Sequence, residues 1–476
     1  MTNKLNNTEN RSSSDHYTYW LAVILPLTMI LVSFLSGSWS WGLMDDTTLV
    51  NLPGNIWQRT AEILSTLQNS GRFQPIYAIQ SAFFYKIFAN NPGYFYIFRW
   101  FEVVFALGIW AWFCYRLTGE KTAAPLFFTV VLSFYKTYDA FFYLSIQEIT
   151  GVLFAGLACI LIFTATNRAG ILFGLLFLLT ALGTKETFIA SGIAIAITLI
   201  IVNFNKPERK TFLWLGSVLL IGISAFGIFI KYFISKSYSA AYSLTDVGRI
   251  TSNITLWFQK PFLFHLPWII LTAILLFMLR TKKDNDQHLQ RLGLYLGIAL
   301  YISYWLIILP WSTWGHYALP LGVFFAFLIS VLIAERINRL NNGLRNTILI
   351  AAMFFTAFVS WAALRDQFTY QIDTASLIEW LAENPIFEHE VLSGAVVRGN
   401  ASEACDAIPV KVRMLYNIKY PPFVFTSSIR EILADPQTRY YLWGRYWGDQ
   451  DLRRLGHDLW APMFVSENWI LFRRMY

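Results

Sequence analysis

Long apolar segments separated by short polar ones make up the first three quarters of the chain. This pattern predicts an α-helical polytopic membrane protein with about eleven transmembrane helices. The short fifth segment and the polar end of the third leave a count of about ten to thirteen open. The predicted spans lie near residues 18–36, 95–115, 122–138, 149–165, 170–184, 187–203, 212–234, 262–280, 292–309, 318–334 and 346–363.

Lys and Arg are concentrated in alternate loops between these spans. Because cytoplasmic loops are enriched in Lys and Arg, the alternation predicts a cytoplasmic N-terminus and a cytoplasmic tail over residues 1–17. The inside loops then contain Arg116, Lys121, Arg168, Lys206, Arg209, Lys210, Arg280, Lys282, Lys283, Arg291, Arg336, Arg339 and Arg345.

The first loop on the outer side, from Gly37 to Tyr94, contains two amphipathic segments. In residues 55–69 one helical face carries Ile56, Thr60, Ile63, Leu64 and Leu67. Residues 76–89 repeat the pattern with Ile76, Ile79, Phe83, Phe84 and Ile87. Such helices are expected to lie in the membrane interface, as part of the function or as a lid over the bundle.

From residue 364 onward the apolar runs shorten to strand length. Candidate strands are Val391–Val397, Tyr440–Trp443 and Trp469–Phe472, and helical patterns occupy 374–383 and 427–434. We therefore expect a transmembrane domain over residues 18–363 and a small exported α/β domain over 364–476. The aromatic stretch of that domain is interpreted as its core, with glycan binding as the alternative (Tyr440, Tyr441, Trp443, Tyr446 and Trp447).

Composition agrees with this class. Charged residues are only 14% of the chain and aromatic residues 18%. The net charge of +8 follows the loop asymmetry and does not indicate nucleic acid. The three cysteines, Cys114, Cys159 and Cys405, provide no disulfide framework.

Two adjacent acids, Asp45 and Asp46, follow the first predicted span. Neighbouring carboxylates can raise one another's pKa, so that one accepts a proton from a hydroxyl, or they can bind a divalent cation together. The alternative is a helix N-cap before Thr47 and Thr48.

Further candidates fall on the same side of the membrane. Gln147 and Glu148 begin the fourth span, where a negative charge suits the helix dipole or can face the two acids. Lys185 and Glu186 lie in a very short connection. Lys185 either snorkels to the interface or binds a lipid phosphate, because an unpaired buried cation is costly.

The late outer loop contributes His316 and Tyr317, and it contains no Lys or Arg. His316 is interpreted either as a structural residue or as the cation of that loop. Arg72 in the first outer loop is a further candidate for binding an anion. Arg99 and Glu102, three residues apart near the start of the second span, are expected to pair with each other.

These elements together resemble the GT-C superfamily of integral-membrane glycosyltransferases, which use polyprenyl-phosphate sugars. The resemblance is carried by Asp45-Asp46, by the juxtamembrane helices around Gly71-Arg72-Phe73-Gln74-Pro75, and by His316-Tyr317-Ala318-Leu319-Pro320 at the start of a late span. It covers the membrane part and not the C-terminal domain.

The resemblance implies an inverting hexosyl- or pentosyltransferase. Asp45 or Asp46 is expected to be the general base, and Lys185, His316 and Arg72 to bind the donor phosphate. Gln147, Glu148, Glu186 and Tyr317 are expected to contact the sugar or the acceptor. No cofactor is expected, and because Asp45 and Asp46 are adjacent and not in Asp-x-Asp spacing, a required metal is not favoured, with Mg²⁺ as the alternative.

The implied partners are a polyprenyl-phosphate sugar, membrane lipid, and a glycan, lipid or protein acceptor in a bacterial inner membrane. The main rivals are a transporter or flippase of lipid-linked saccharides and an O-antigen polymerase or ligase. A transporter predicts ionisable residues buried in mid-span and paired halves, and neither is visible in the sequence.

Overall fold

The computed structural model describes residues 54–69, 72–88, 91–142, 144, 147–165, 167–203, 209–230, 247–259, 261–278, 288–309, 316–426, 428–445 and 459–475, with Thr28 and Leu31. Its N-terminal and central helices are α1 (Ile56–Asn69), α2 (Pro75–Phe88), α3 (Pro92–Thr118), α4 (Ala123–Leu132), α5 (Asp139–Phe142), α6 (Glu148–Thr164), α7 (Arg168–Thr184), α8 (Ile189–Asn203), α9 (Arg209–Phe229), α10 (Val247–Gln259), α11 (Pro261–Met278), α12 (His288–Ile308), α13 (Leu319–Arg339) and α14 (Asn342–Glu383).

Within the residues that the structure describes, four helices are long and apolar enough to cross a membrane, namely α3, α12 from Leu289, α13 and α14. The number is five if the bent pair α10 and α11 forms one crossing. Shorter apolar helices lie at Ala123–Leu132, Glu148–Thr164, Arg168–Thr184, Glu186–Val202 and Leu213–Phe229. The predicted count of about eleven spans is therefore not confirmed, and the first predicted span lies outside the described residues apart from Thr28 and Leu31.

Local sequence explains where the long helix α3 begins and ends. The Asn91 side chain accepts a hydrogen bond from the Gly93 amide, and Pro92 occupies the first turn. Gly119 closes the helix in a left-handed conformation with φ 69°, and its amide bonds the Tyr115 carbonyl. A polar N-cap, an early proline and a glycine at the end are the signals expected of helix boundaries.

Helix α13 forms the centre of the membrane part. It packs against α3, α4, α11 and α12, and nearly all of its first fifteen residues are buried. Gly322 allows close contact with the segment that follows α4, since a Cβ there would lie 2.3 Å from the Phe134 ring. Small residues allow such close helix packing where lipid provides no hydrophobic drive.

The two juxtamembrane helices have the predicted bounds to within one residue. In α1 the predicted apolar face is its less exposed face. In α2, however, the buried residues are the small Ala78, Ser81 and Ala82, whereas Ile79, Phe83 and Ile87 of the predicted face are exposed. The large apolar side chains on the exposed face suit a helix that contacts lipid.

Helix α14 has 42 residues and a length of about 63 Å at the usual rise. It continues without a break from the membrane part through residues 363 and 364. Its last turns pack against the C-terminal domain, whose core contains Tyr370, Leu377, Ile378 and Leu381 of this helix.

The C-terminal domain is a five-stranded mixed sheet with helices, in the strand order β2-β1-β3-β5-β4. Its further elements are α15 (Pro385–Leu392), β1 (Val396–Gly399), α16 (Ser402–Tyr416), β2 (Val424–Phe425), α17 (Ile429–Ala434), β3 (Thr438–Gly444), β4 (Trp460–Val465) and β5 (Trp469–Arg474).

Two of the three predicted strands, now β3 and β5, are confirmed. The strand predicted at Val391–Val397 is wrong in its first half, where α15 extends to Leu392. Helix α16 and strand β4 were not predicted. Tyr440 and Tyr441 are buried, in agreement with a core role, while Tyr446 and Trp447 lie outside the described residues. All three cysteines are buried and free.

Candidate active site

The candidate site lies where the ends of several membrane helices meet. Lys185 follows the last residue of α7 in an extended conformation, and a short 3₁₀ turn, Glu186–Phe188, leads into α8. The Phe188 ring lies against α6 at Gly151, where an added Cβ would approach within 2.0 Å of the ring. Gly151 thus brings the turn that carries Lys185 close to the start of α6.

Lys185 forms an ion pair with Glu148 in the first turn of α6. The two side chains are 1% and 0% exposed, so Lys185 does not extend to the interface as a snorkelling lysine would. The position of Glu148 in the first turn of α6 also suits the helix dipole, but the immediate partner of the Glu148 carboxylate is the Lys185 ammonium. Both charges sit at helix ends and not in mid-span.

Tyr317 links this pair to Arg72, which lies between α1 and α2. The Lys185 ammonium lies 4.2 Å from the centre of the Tyr317 ring, within the range of a cation–π contact. The Arg72 guanidinium donates a hydrogen bond of 3.3 Å to the Tyr317 hydroxyl. The structure therefore brings Arg72, Lys185 and Tyr317 together across more than 240 residues of sequence.

Glu186 is held by a residue that sequence reasoning did not select. The Gln74 amide donates a hydrogen bond of 2.8 Å to a Glu186 carboxylate oxygen, and both residues are buried. Gln74 precedes Pro75 at the start of α2, inside the Gly-Arg-aromatic-x-Pro run. Its position in that run was the sequence feature that could have identified Gln74 as a site residue.

A second buried network adjoins the first. Arg99 pairs with Glu102 at 2.8 Å, as predicted, and Glu102 also accepts a hydrogen bond from Thr150. A small cavity beside this network is lined by Gln147 and by aromatic residues of α2 and α3. Gln147 and Thr150, which line this cavity, lie one residue before and two residues after Glu148 in the sequence.

A third cluster connects the segment that follows α4 with α14. Lys136 pairs with Asp139 at 3.0 Å, and the Gln367 amide donates to Asp139 at 3.2 Å. The Tyr135 hydroxyl donates to Asp366 at 2.6 Å. Burial raises the pKa of Asp139 above its ordinary value, and Lys136 opposes that shift. This cluster fixes α14 beside the candidate site.

Three of the predicted residues are not placed. Asp45 and Asp46 lie outside the described residues, and for His316 only the backbone is described, in the 3₁₀ turn His316–Ala318. Within the described part of the chain, no group of three or more His, Cys, Asp or Glu side chains is arranged to hold a metal ion.

Comparison with solved structures finds proteins of similar fold. The chain is similar to ArnT from Cupriavidus metallidurans bound to undecaprenyl phosphate, with a TM-score of 0.46 and 12% identity over 94% of this chain and 97% of that one. The apo state of the same protein gives 0.45 and 12% over 97% and 98%.

The oligosaccharyltransferase of Archaeoglobus fulgidus, in complex with Zn and sulfate, gives a TM-score of 0.42 and 13% identity over 94% of this chain and 71% of that chain. All three matches have TM-scores below 0.5 and identities below 25%. At these scores and identities they assign no activity to this chain. No protein-family model and no curated protein matches the sequence.

Proposed function

We propose that the chain is an inverting glycosyltransferase. It moves a sugar from a polyprenyl-phosphate donor to an acceptor hydroxyl on the extracytoplasmic side of the inner membrane. The observation that carries the proposal is the buried contact between Lys185 and Tyr317, with Arg72 on the Tyr317 hydroxyl. Two cationic side chains, Lys185 and Arg72, thus contact the Tyr317 phenol at the ends of apolar helices. A ligand with an anionic head and an apolar chain has the matching chemistry.

The energetics of the Lys185–Glu148 pair support a functional role. Replacing a buried ion pair by apolar residues of similar volume is often neutral or stabilising, so stability alone gives little reason to keep one.

The proposed roles combine these positions with the roles that the family resemblance implies. Arg72 and Lys185, with His316, bind the donor phosphate, and Tyr317 orients the two cations toward it. Glu148 holds Lys185 in place. Gln147, Glu186 and Gln74 contact the sugar or the acceptor. Asp45 or Asp46 supplies the carboxylate base, with no cofactor required.

In the reaction, the carboxylate of Asp45 or Asp46 takes the proton of the acceptor hydroxyl. The hydroxyl oxygen attacks the anomeric carbon from the side opposite the phosphate. The bond from that carbon to the phosphate oxygen breaks, and its electron pair leaves with the polyprenyl phosphate. Arg72 and Lys185 stabilise the charge that develops on the leaving oxygen.

Charge placement also bears on the transporter alternative. Lys185 and Glu148 stand at helix ends, whereas Glu102 lies close to the middle of α3. A transporter would be expected to hold ionisable groups near the bilayer midplane. The Lys185–Glu148 pair thus favours chemistry at the surface over passage through the membrane.

The test is sugar transfer by the full chain in lipid nanodiscs, with a panel of synthetic polyprenyl-phosphate sugars and their acceptors. Wild type is compared with Asp45→Asn, Asp46→Asn and Arg72→Gln, and Asp435→Asn serves as a charge-matched control far from the site. We expect turnover of one donor, loss in at least one aspartate variant, and weaker donor binding in Arg72→Gln. Absence of donor binding by wild type would refute the proposal.

A further inference from the structure

The C-terminal domain rests against the membrane part through the end of helix α16. We call Arg413-Met414-Leu415-Tyr416-Asn417-Ile418-Lys419 the 413–419 segment. Met414 packs against the cluster of Phe95, Tyr96 and Leu144. Phe95 and Tyr96 lie in the first turns of the membrane-spanning helix α3, so the segment sits at the level where α3 enters the bilayer.

The side chains of this segment do not fit a surface that faces water alone. Leu415 is 63% exposed and Tyr416 43% exposed, although both are large and apolar in most of their atoms. Asn417 ends the helix in a left-handed conformation with φ 60°. The basic residues Arg413 and Lys419, both exposed, stand on either side of the apolar pair.

The same level of the molecule carries other exposed apolar side chains. Tyr94 at the start of α3, and Phe83 and Ile87 on α2, are all exposed. Phe84, Tyr85 and Phe88 of α2 belong to the cluster that receives Met414. The 413–419 segment therefore continues an apolar and aromatic band formed by the juxtamembrane helix, as expected at a membrane interface.

We propose that the 413–419 segment is a lipid-contact surface on the side of the membrane that holds the candidate site. Leu415 and Tyr416 enter the headgroup region, and Arg413 and Lys419 bind anionic lipid phosphates. Apolar and aromatic side chains flanked by cations have this chemistry. The inference goes beyond the proposed sugar transfer and does not depend on it.

The test places a spin label at Leu415→Cys in the full chain in nanodiscs. The three native cysteines are buried, which favours labelling at the new one. Collisions with oxygen, which concentrates in lipid, are compared with collisions with a water-soluble nickel chelate. Ile386→Cys is the matched control, because Ile386 is also exposed and follows the far end of α14, about 24 Å along the helix from Gln367.

We expect an oxygen-to-nickel collision ratio severalfold higher at residue 415 than at residue 386 in nanodiscs that contain phosphatidylglycerol. Adding Lys419→Gln is expected to lower the affinity of the 413–419 segment for anionic lipid roughly fivefold. In phosphatidylcholine the same substitution is expected to leave the collision ratio unchanged. Tyr416→Cys is a second reporter if Leu415→Cys fails to fold.

Equal collision ratios at residues 415 and 386 would overturn the proposal. So would dipolar broadening of the label at residue 415 that disappears when the protein is diluted in lipid. That second result would assign the surface to a contact with another copy of the chain.

Discussion

Two ion pairs in this protein join residues that are equally far apart in sequence but lie in very different surroundings. Lys185–Glu148 and Arg398–Asp435 each span 37 residues. The first pair is essentially inaccessible, at 1% and 0% exposure. The second is 20% and 25% exposed, in the C-terminal domain.

The partners of the two pairs differ as well. Asp435 receives hydrogen bonds from Arg398, from Thr438 and from the Gln437 amide, and the pair ties strand β1 to the start of β3. Lys185 instead contacts the ring of Tyr317, and the Tyr317 hydroxyl accepts a hydrogen bond from Arg72. The exposed pair connects elements of a sheet, whereas the buried pair assembles other ionisable groups. That difference is what separates a structural pair from a candidate site.

Breaking the buried pair is expected to have the largest effect. Lys185→Met leaves Glu148 buried without its cation, at a cost of about 3–5 kcal/mol. Adding Glu148→Leu removes the second charge and should restore most of that loss without restoring sugar transfer. Thermal unfolding in nanodiscs and a transfer assay on the two variants measure this. Recovered transfer in the double variant would make the pair purely structural.

Tyr317→Phe tests the link between the two cations. It keeps the ring beside Lys185 and removes the hydroxyl that accepts from Arg72. A hydrogen bond to a charged group contributes about 1.5–3 kcal/mol, so donor affinity should fall roughly ten- to a hundredfold. Titration of the polyprenyl-phosphate donor measures it. In the double variant Tyr317→Phe/Arg72→Gln, the loss of donor affinity should be smaller than the sum of the two single losses. A loss equal to that sum would contradict the link between Tyr317 and Arg72.

Gly151→Ala moves the backbone of the site without changing any charge. The new Cβ meets the Phe188 ring, and such overpacking costs about 1–3 kcal/mol. Transfer should fall with it, because Phe188 ends the turn that begins after Lys185. Gly108→Ala is the matched control, since nothing lies within 4 Å of a Cβ there. The unfolding temperature and the turnover of Gly151→Ala should fall below those of Gly108→Ala. Similar values for the two variants would show that α6 accommodates the added Cβ.

The exposed pair is expected to show the smallest effect, as a pH dependence. The Thr438 hydrogen bond, followed by those of Arg398, lowers the pKa of Asp435 below its ordinary value. A lowered folded-state pKa stabilises the fold above the unfolded pKa of about 3.9, and this stability is lost as pH falls through the folded value. Asp435→Asn should flatten that acid dependence in thermal unfolding of the C-terminal domain, by less than about 1 kcal/mol.

Much of the helical fold could be predicted from apolar run length, and the Arg99–Glu102 pair from its spacing of three. The meeting of Lys185 with Glu148, and of Arg72 with Tyr317, could not, because helix packing decides which ends converge. The buried face of α2 also follows from packing, since Ala78, Ser81 and Ala82 carry little signal of their own. The start of β1 was misplaced because Val391 suits a strand as well as a helix.

The unbroken helix α14 sets a distance as well as a connection. Gln367 is bound to Asp139 beside the candidate site, and the helix continues to Glu383, about 24 Å farther along its axis. The end of this helix also forms part of the core of the C-terminal domain. The length of one unbroken helix, rather than a flexible linker, therefore sets how far that core lies from Asp139.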